Sequence, residues 1–292
     1  MSGAFTARAA AVAAAWPATA SSTAWTSGFV PLQDLLVVPS GLSDEQRTAV
    51  DAGWFTLDSL LPAEAPSGEV TFAGGAEELP LIGAADAYRL IDRGDPPACE
   101  PAQGKRPAPS GTAADPGGSG SDTSSSGADT SSSGAGGSCT RLPVTGATLG
   151  SVPLRTSRGD ATVPAWLFTV RGLTAPVARV AVAPASVAEP PAPSLAPPDT
   201  ASAATLKGAQ SLARVAGTAV DYRLGVGACD EQITPLVYET ETLIVIGGSA
   251  TSSAEMCTEQ LVLQPVSVTL RAPAGARPIL DAQTGQALIL KP

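Results

Sequence analysis

The sequence predicts an α+β N-terminal domain followed by a small antiparallel β-sandwich-like or barrel-like domain, with two long disordered linkers. Three observations predict this. Short β-branched runs joined by turn residues fill the C-terminal part, with no long helical period between them. Short helical segments and strands alternate in the N-terminal part. Two stretches with almost no large apolar side chain, 101–138 and 184–203, interrupt a chain of 292 residues that is long enough for two ordinary domains. The expected division is therefore 1–183, carrying the disordered insert 101–138; a Pro-rich linker, 184–203; and a β-rich domain, 204–292.

Taken in order, residues 5–16 read as a helix because Ala dominates them and is the strongest helix former, with Pro17 as the stop. The same stretch, with Arg8 early and Ala18-Thr19-Ala20 as a small-residue cleavage site, also has the outline of a weak signal peptide. The helix is the preferred reading, which places any signal or lipobox upstream of Met1. Ser43-Asp44-Glu45-Gln46 is an N-cap with an acidic first turn, opening a helix to about Trp54. Residues 68–73 read as a strand, and 84–92 as a short helix closed by Gly94, Pro96 and Pro97. The insert that follows is Ser, Gly, Pro and Asp, with DTSSSGA repeated at Asp122 and Asp129, and cannot bury enough surface to order itself. Strands are then expected at 142–149, 152–157, 162–170 and 177–183, and, beyond the extended Pro-rich spacer, at 215–226, 236–246, 260–271, 277–280 and 286–290.

Composition narrows the function classes. Net charge is −10 and the pI about 4.5, with the few Arg scattered. Nucleic acid needs clustered cations, and so does adhesion to anionic lipid. No stretch is long and apolar enough to span a bilayer. The chain has no His and no Asn. Without His the Ser-His and Cys-His triads are excluded and the commonest metal ligand is missing; no cofactor is expected. Aromatics are 4 %, so packing rests on Val, Leu, Ile and four Trp.

Four Cys form an even set: Cys99, Cys139, Cys229 and Cys257. Neighbour pairing would close the insert at its base through Cys99–Cys139 and place Cys229–Cys257 in the second domain. In the chain-entropy model the first crosslink contributes on the order of 3 to 4 kcal/mol as an upper figure. An insert clamped between two Cys favours an oxidising compartment over a reduced cytosol. A zinc site is disfavoured by the missing His and CxxC.

Four motifs have bland readings beside sharp ones. Leu142-Pro143-Val144-Thr145-Gly146 matches the LPxTG sorting pentapeptide, but no membrane span follows, so it reads as the start of a strand. Arg158-Gly159-Asp160 is the integrin-binding tripeptide, and also a turn between strands. Asp230, Glu231, Glu239 and Glu241 are an acidic set that two-carboxylate glycoside hydrolysis would need; Glu239 and Glu241 also alternate with their neighbours as the solvated face of a strand. Trp16, Trp25, Trp54 and Trp166 would suit a sugar-stacking platform if exposed, and a core if not.

The segments VPLRTSRGDATVPAWLFTVR (152–171), GFVPLQDL (28–35) and RPILDAQTG (277–285) resemble a family of uncharacterised secreted proteins and lipoprotein-type proteins of actinobacteria. The resemblance covers both domains and excludes the linkers. It implies export and, in typical members, a lipid-bearing Cys near the N-terminus, which is not found here before Cys99. It carries no catalytic residues. Together these features point to a non-catalytic secreted or cell-envelope binding or structural protein, extracellular or in the envelope, partnered by a cell-wall component or an envelope protein and not by nucleic acid. The alternative is a carboxylate-based hydrolase of wall polysaccharide.

Overall fold

A computed structural model describes residues 3–62, 67–96, 140–197, 205–252, 258 and 260–291. It is β-rich, with two sheets and few helices. The insert 101–138 lies outside the described residues.

The first sheet is built on a long hairpin. β5 (Leu142–Thr156) and β6 (Gly159–Val170) pair antiparallel from Val144↔Val170 to Thr156↔Gly159. Two strands, 142–149 and 152–157, are expected where β5 runs unbroken through Gly150. A Cβ there would stand 2.6 Å from Leu167 Cδ1, so the missing side chain makes room for a neighbour in the sheet. β7 (Val177–Val180) and β3 (Ser67–Phe72) share the other edge of β6, and β1 (Leu36–Val37), β2 (Phe55–Leu57) and β4 (Gly75–Pro80) extend the sheet. Two helices cover it. α3 (Asp44–Ala52) opens with the expected cap, completed as a box by Ser43 and Gln46, and ends on Gly53 at φ 74°. α4 (Ala84–Ile91) turns Ala84, Ala87, Tyr88 and Ile91 inward.

The second sheet, in the order β10-β11-β8-β9-β12, is a half-barrel that curls until β10 approaches β12. Its strands are β8 (Leu206–Ala216), β9 (Ala219–Gly227), β10 (Asp230–Glu239), β11 (Ile244–Ser252) and β12 (Leu261–Thr269), with β13 (Ile279–Asp281) parallel to β11. Two expected strands straddle hairpins here. The 215–226 run is broken at Gly217-Thr218, where Ala216 pairs with Ala219, and the 236–246 run at 240–243.

The run Leu243-Ile244-Val245-Ile246 is apolar at every position because both faces are covered. Ile244 and Ile246 enter the half-barrel interior with Tyr222 and Leu224. Leu243 and Val245 meet a helix on the outside. That helix is α1 (Gly3–Ala20), whose Phe5, Ala9, Val12 and Trp16 are buried. The N-terminal helix therefore packs on the second sheet, across the division expected at 183. Pro17 does not stop it: the helix continues to Ala20, since Pro forfeits one backbone bond without preventing the last turn. From α2 (Thr23–Ser27), Trp25 meets Trp16 edge-to-face with centroids 5.0 Å apart.

Residues 29–34 then run between the sheets as a strap. Leu32 N–H donates to Arg155 O at 2.8 Å on the first sheet, and Leu290 N–H donates to Leu32 O at 2.9 Å. Leu290 in turn bridges Leu212 of β8. Backbone hydrogen bonds thus continue from one sheet to the other. The start of the expected free spacer is docked as well: Val187 bridges Phe29, Leu195 packs against the α1 core, and Arg8 donates to Ala196 O. Pro gives this stretch its extended form, but the apolar residues between the prolines still find a core.

Candidate functional site

The acidic set expected from sequence is not gathered into a site. Asp230 and Glu239 begin and end β10, which at about 3.3 Å per residue separates them by about 30 Å. Paired glycosidase carboxylates stand about 5 to 9.5 Å apart. Each of the two is committed locally. Asp230 accepts from Lys207 Nζ at 2.7 Å and from Gly227 N–H at 2.6 Å. Burial raises its pKa, but these bonds outweigh that and hold the carboxyl below its ordinary value. Glu239 accepts from Arg271 N–H at 2.8 Å and Arg277 Nη1 at 3.3 Å. Burial again opposes ionisation, and the two arginines prevail. Glu231 and Glu241 are exposed.

The remaining motifs resolve into structure. Leu142 and Val144 of the LPxTG match are buried in β5, between β2 and β6. Arg158 of the RGD tripeptide lies 3.6 Å over the Phe72 ring and pairs with Glu77 at 2.9 Å. A guanidinium held on both sides is not offered to a partner. Trp16, Trp25 and Trp166 are core residues, with Trp166 Nε1–H donating to Ile82 O, and Trp54 is half-buried. Cys229 is not a free thiol; Cys99, Cys139 and Cys257 lie outside the described residues, and with them both expected pairings. Among the described residues no three His, Cys, Asp or Glu side chains are placed to hold a metal ion, and no helix is long and apolar enough to cross a membrane.

One ionic group is unlike the rest. Arg179, on β7, lines a cleft of about 250 Å³ where the strap, the 187–190 segment and the last residues of the chain converge. Leu35, Val187, Pro190 and Ile289 supply apolar walls. The Arg179 Nε is buried and has no hydrogen-bond partner among the described residues. Burial lowers its pKa, while Asp34 pulls it back up; a guanidinium still remains charged. Asp34 Oδ1 accepts from Leu36 N–H at 2.9 Å. Glu189 and Lys291, both exposed, stand at the margin.

Arg179 belongs to none of the motifs in the sequence. A signal existed: it is the only charged residue in Val177-Ala178-Arg179-Val180-Ala181-Val182, whose apolar members are all buried. A cation inside such a run is carried toward the interior by its neighbours.

No family model matches the chain, and neither a curated protein nor a solved structure matches it.

Proposed function

We propose that the chain is a non-catalytic binding protein of the cell envelope or the cell exterior. The observation that carries this reading is a contrast in how ionic side chains are used. Asp230 and Glu239 are locked into pairs at opposite ends of one strand, whereas Arg179 sits in an apolar cleft with an unsatisfied donor. Leaving a buried donor unpaired costs about 1 to 3 kcal/mol, and such a cost is offset when a ligand supplies the acceptor. Export is supported by the even cysteine set and by the resemblance to actinobacterial secreted proteins.

The test is co-sedimentation of oxidised protein with isolated cell wall, wall glycan fragments and membrane vesicles, with a reduced sample as control and released sugar assayed in each supernatant. Saturable binding that weakens on reduction, without sugar release, is the expected result. Sugar release abolished by Asp230→Asn or Glu239→Gln would replace this reading with the hydrolase. Non-reducing peptide mapping of protein from the native host is expected to link Cys99 to Cys139 and Cys229 to Cys257; four free thiols would remove the argument for export.

A further inference from the structure

We infer that the cleft around Arg179 is a site for a small apolar monocarboxylate, whose head pairs with the Arg179 guanidinium and whose body lies against Leu35, Val187, Pro190 and Ile289. This rests on the reading of the chain as a binding protein and names what that cleft takes.

Three properties of the cleft select the ligand. The first is the head group. The Arg179 side chain lines a largely apolar recess and its buried Nε has no acceptor among the described residues, and an Arg fork matches a planar carboxylate in particular. The second is charge number. Asp34 acts on Arg179 electrostatically from inside the cleft, and Glu189 stands at its margin. Arg179 and Lys291 balance these two negative charges, so a monoanion leaves the cleft with one net negative charge, whereas a dianion such as a phosphate monoester leaves two. The third is size and polarity. At about 250 Å³ the cleft falls just below the range of about 300 to 1,000 Å³ for drug-sized ligands, and its apolar walls favour a short acyl or aryl body over a sugar.

The position of the cleft gives binding a structural consequence. Its walls come from the strap, from β7 and from the chain end that bridges to β8, so an occupant touches the segments that join the two sheets. Ligand binding should therefore stabilise the whole fold rather than one sheet alone.

The experiment titrates the full chain with benzoate and hexanoate, and with benzyl alcohol and phenyl phosphate as neutral and dianionic counterparts, by calorimetry and saturation-transfer NMR. The acids are expected to bind at least about tenfold tighter than benzyl alcohol and phenyl phosphate. Arg179→Gln should bring the acids to the level of the alcohol while leaving the alcohol unchanged. Glu189→Gln, at an exposed position where folding is not at risk, should tighten acid binding about two- to fivefold. Equal affinity for acid and alcohol, tighter binding of the phosphate, no saturable acid binding at millimolar concentration, or unchanged acid affinity in Arg179→Gln with a native circular-dichroism spectrum would each overturn the inference. Co-sedimentation with cell wall on the same samples separates the two claims. Retained wall binding without acid binding ends this inference and leaves the binding reading intact. Consumption of a bound acid ends the non-catalytic reading and leaves the site.

Discussion

Glu239 shows how a carboxylate that looks catalytic in sequence can be structural in the fold. Its side chain is 6 % exposed and is held by the Arg271 backbone and the Arg277 guanidinium; Arg277 also donates to Thr240 O, Ala272 O and Pro273 O. Glu239→Ala would leave Arg277 partly desolvated without its counter-ion, and an unfolding free energy lower by about 2 to 3 kcal/mol is expected from urea denaturation. Because the folded carboxyl titrates below its ordinary value, its stabilisation is complete above the ordinary glutamate range and is lost as pH falls through the depressed value. The gap between wild type and Glu239→Gln should therefore close in acid. Asp281 has the opposite sign. Burial raises its pKa although Thr284 N–H and Oγ1–H and Ala209 N–H all bond it. The folded state thus holds that proton more readily than the unfolded chain, and its contribution becomes less favourable as pH rises through the raised value. Asp281→Ala orphans the Ala209 N–H, and a loss of about 1 to 3 kcal/mol is expected.

The elements written plainly in the sequence are those whose signals are local. The Ser43 cap and the helices at 84–92 and in the Ala-rich N-terminal stretch all depend on signals within one segment, and the structure has each of them. The misplaced strands depended on turns without a strong local signal. Gly217, at φ 58°, turns β8 into β9 with no Asn or Asp beside it. The 240–243 turn has neither Gly nor Pro; the Thr240 hydroxyl accepts from Thr242 N–H and Leu243 N–H and closes it from a side chain. Arg179 was obscure for a related reason, since whether a strand cation faces solvent or a cleft is set in part by the strap and the chain end, each more than a hundred residues away. Where α1 would dock was equally illegible, because its apolar stripe fits any complementary sheet. Its buried stripe makes a test of the docking. Trp16 is 4 % exposed against Trp25, and Trp16→Ala is expected to cost about 3 to 5 kcal/mol in denaturant unfolding.

At the scale of the molecule, the two sheets share elements, so the half-barrel is not complete in its own segment. Leu206, Leu236, Leu243, Val245 and Leu280 form its outer apolar face, and the side chains covering them come from Phe5, Val12, Trp16, Trp25, Val30 and Leu32. The strap alternates between cores, with Phe29 in the first and Val30 in the second. A fragment of residues 204–292 would present that outer face to water, together with a C-terminal segment lacking the Leu32 and Asp34 partners of Leu290. An exposed apolar face of several large side chains beside unpaired extended backbone favours association. The fragment is therefore expected to aggregate or to lack dispersed amide signals in NMR, and addition of a peptide spanning residues 1–34 should restore dispersion. A dispersed, monomeric spectrum from 204–292 alone would show that α1 and the strap decorate a self-sufficient half-barrel rather than complete it.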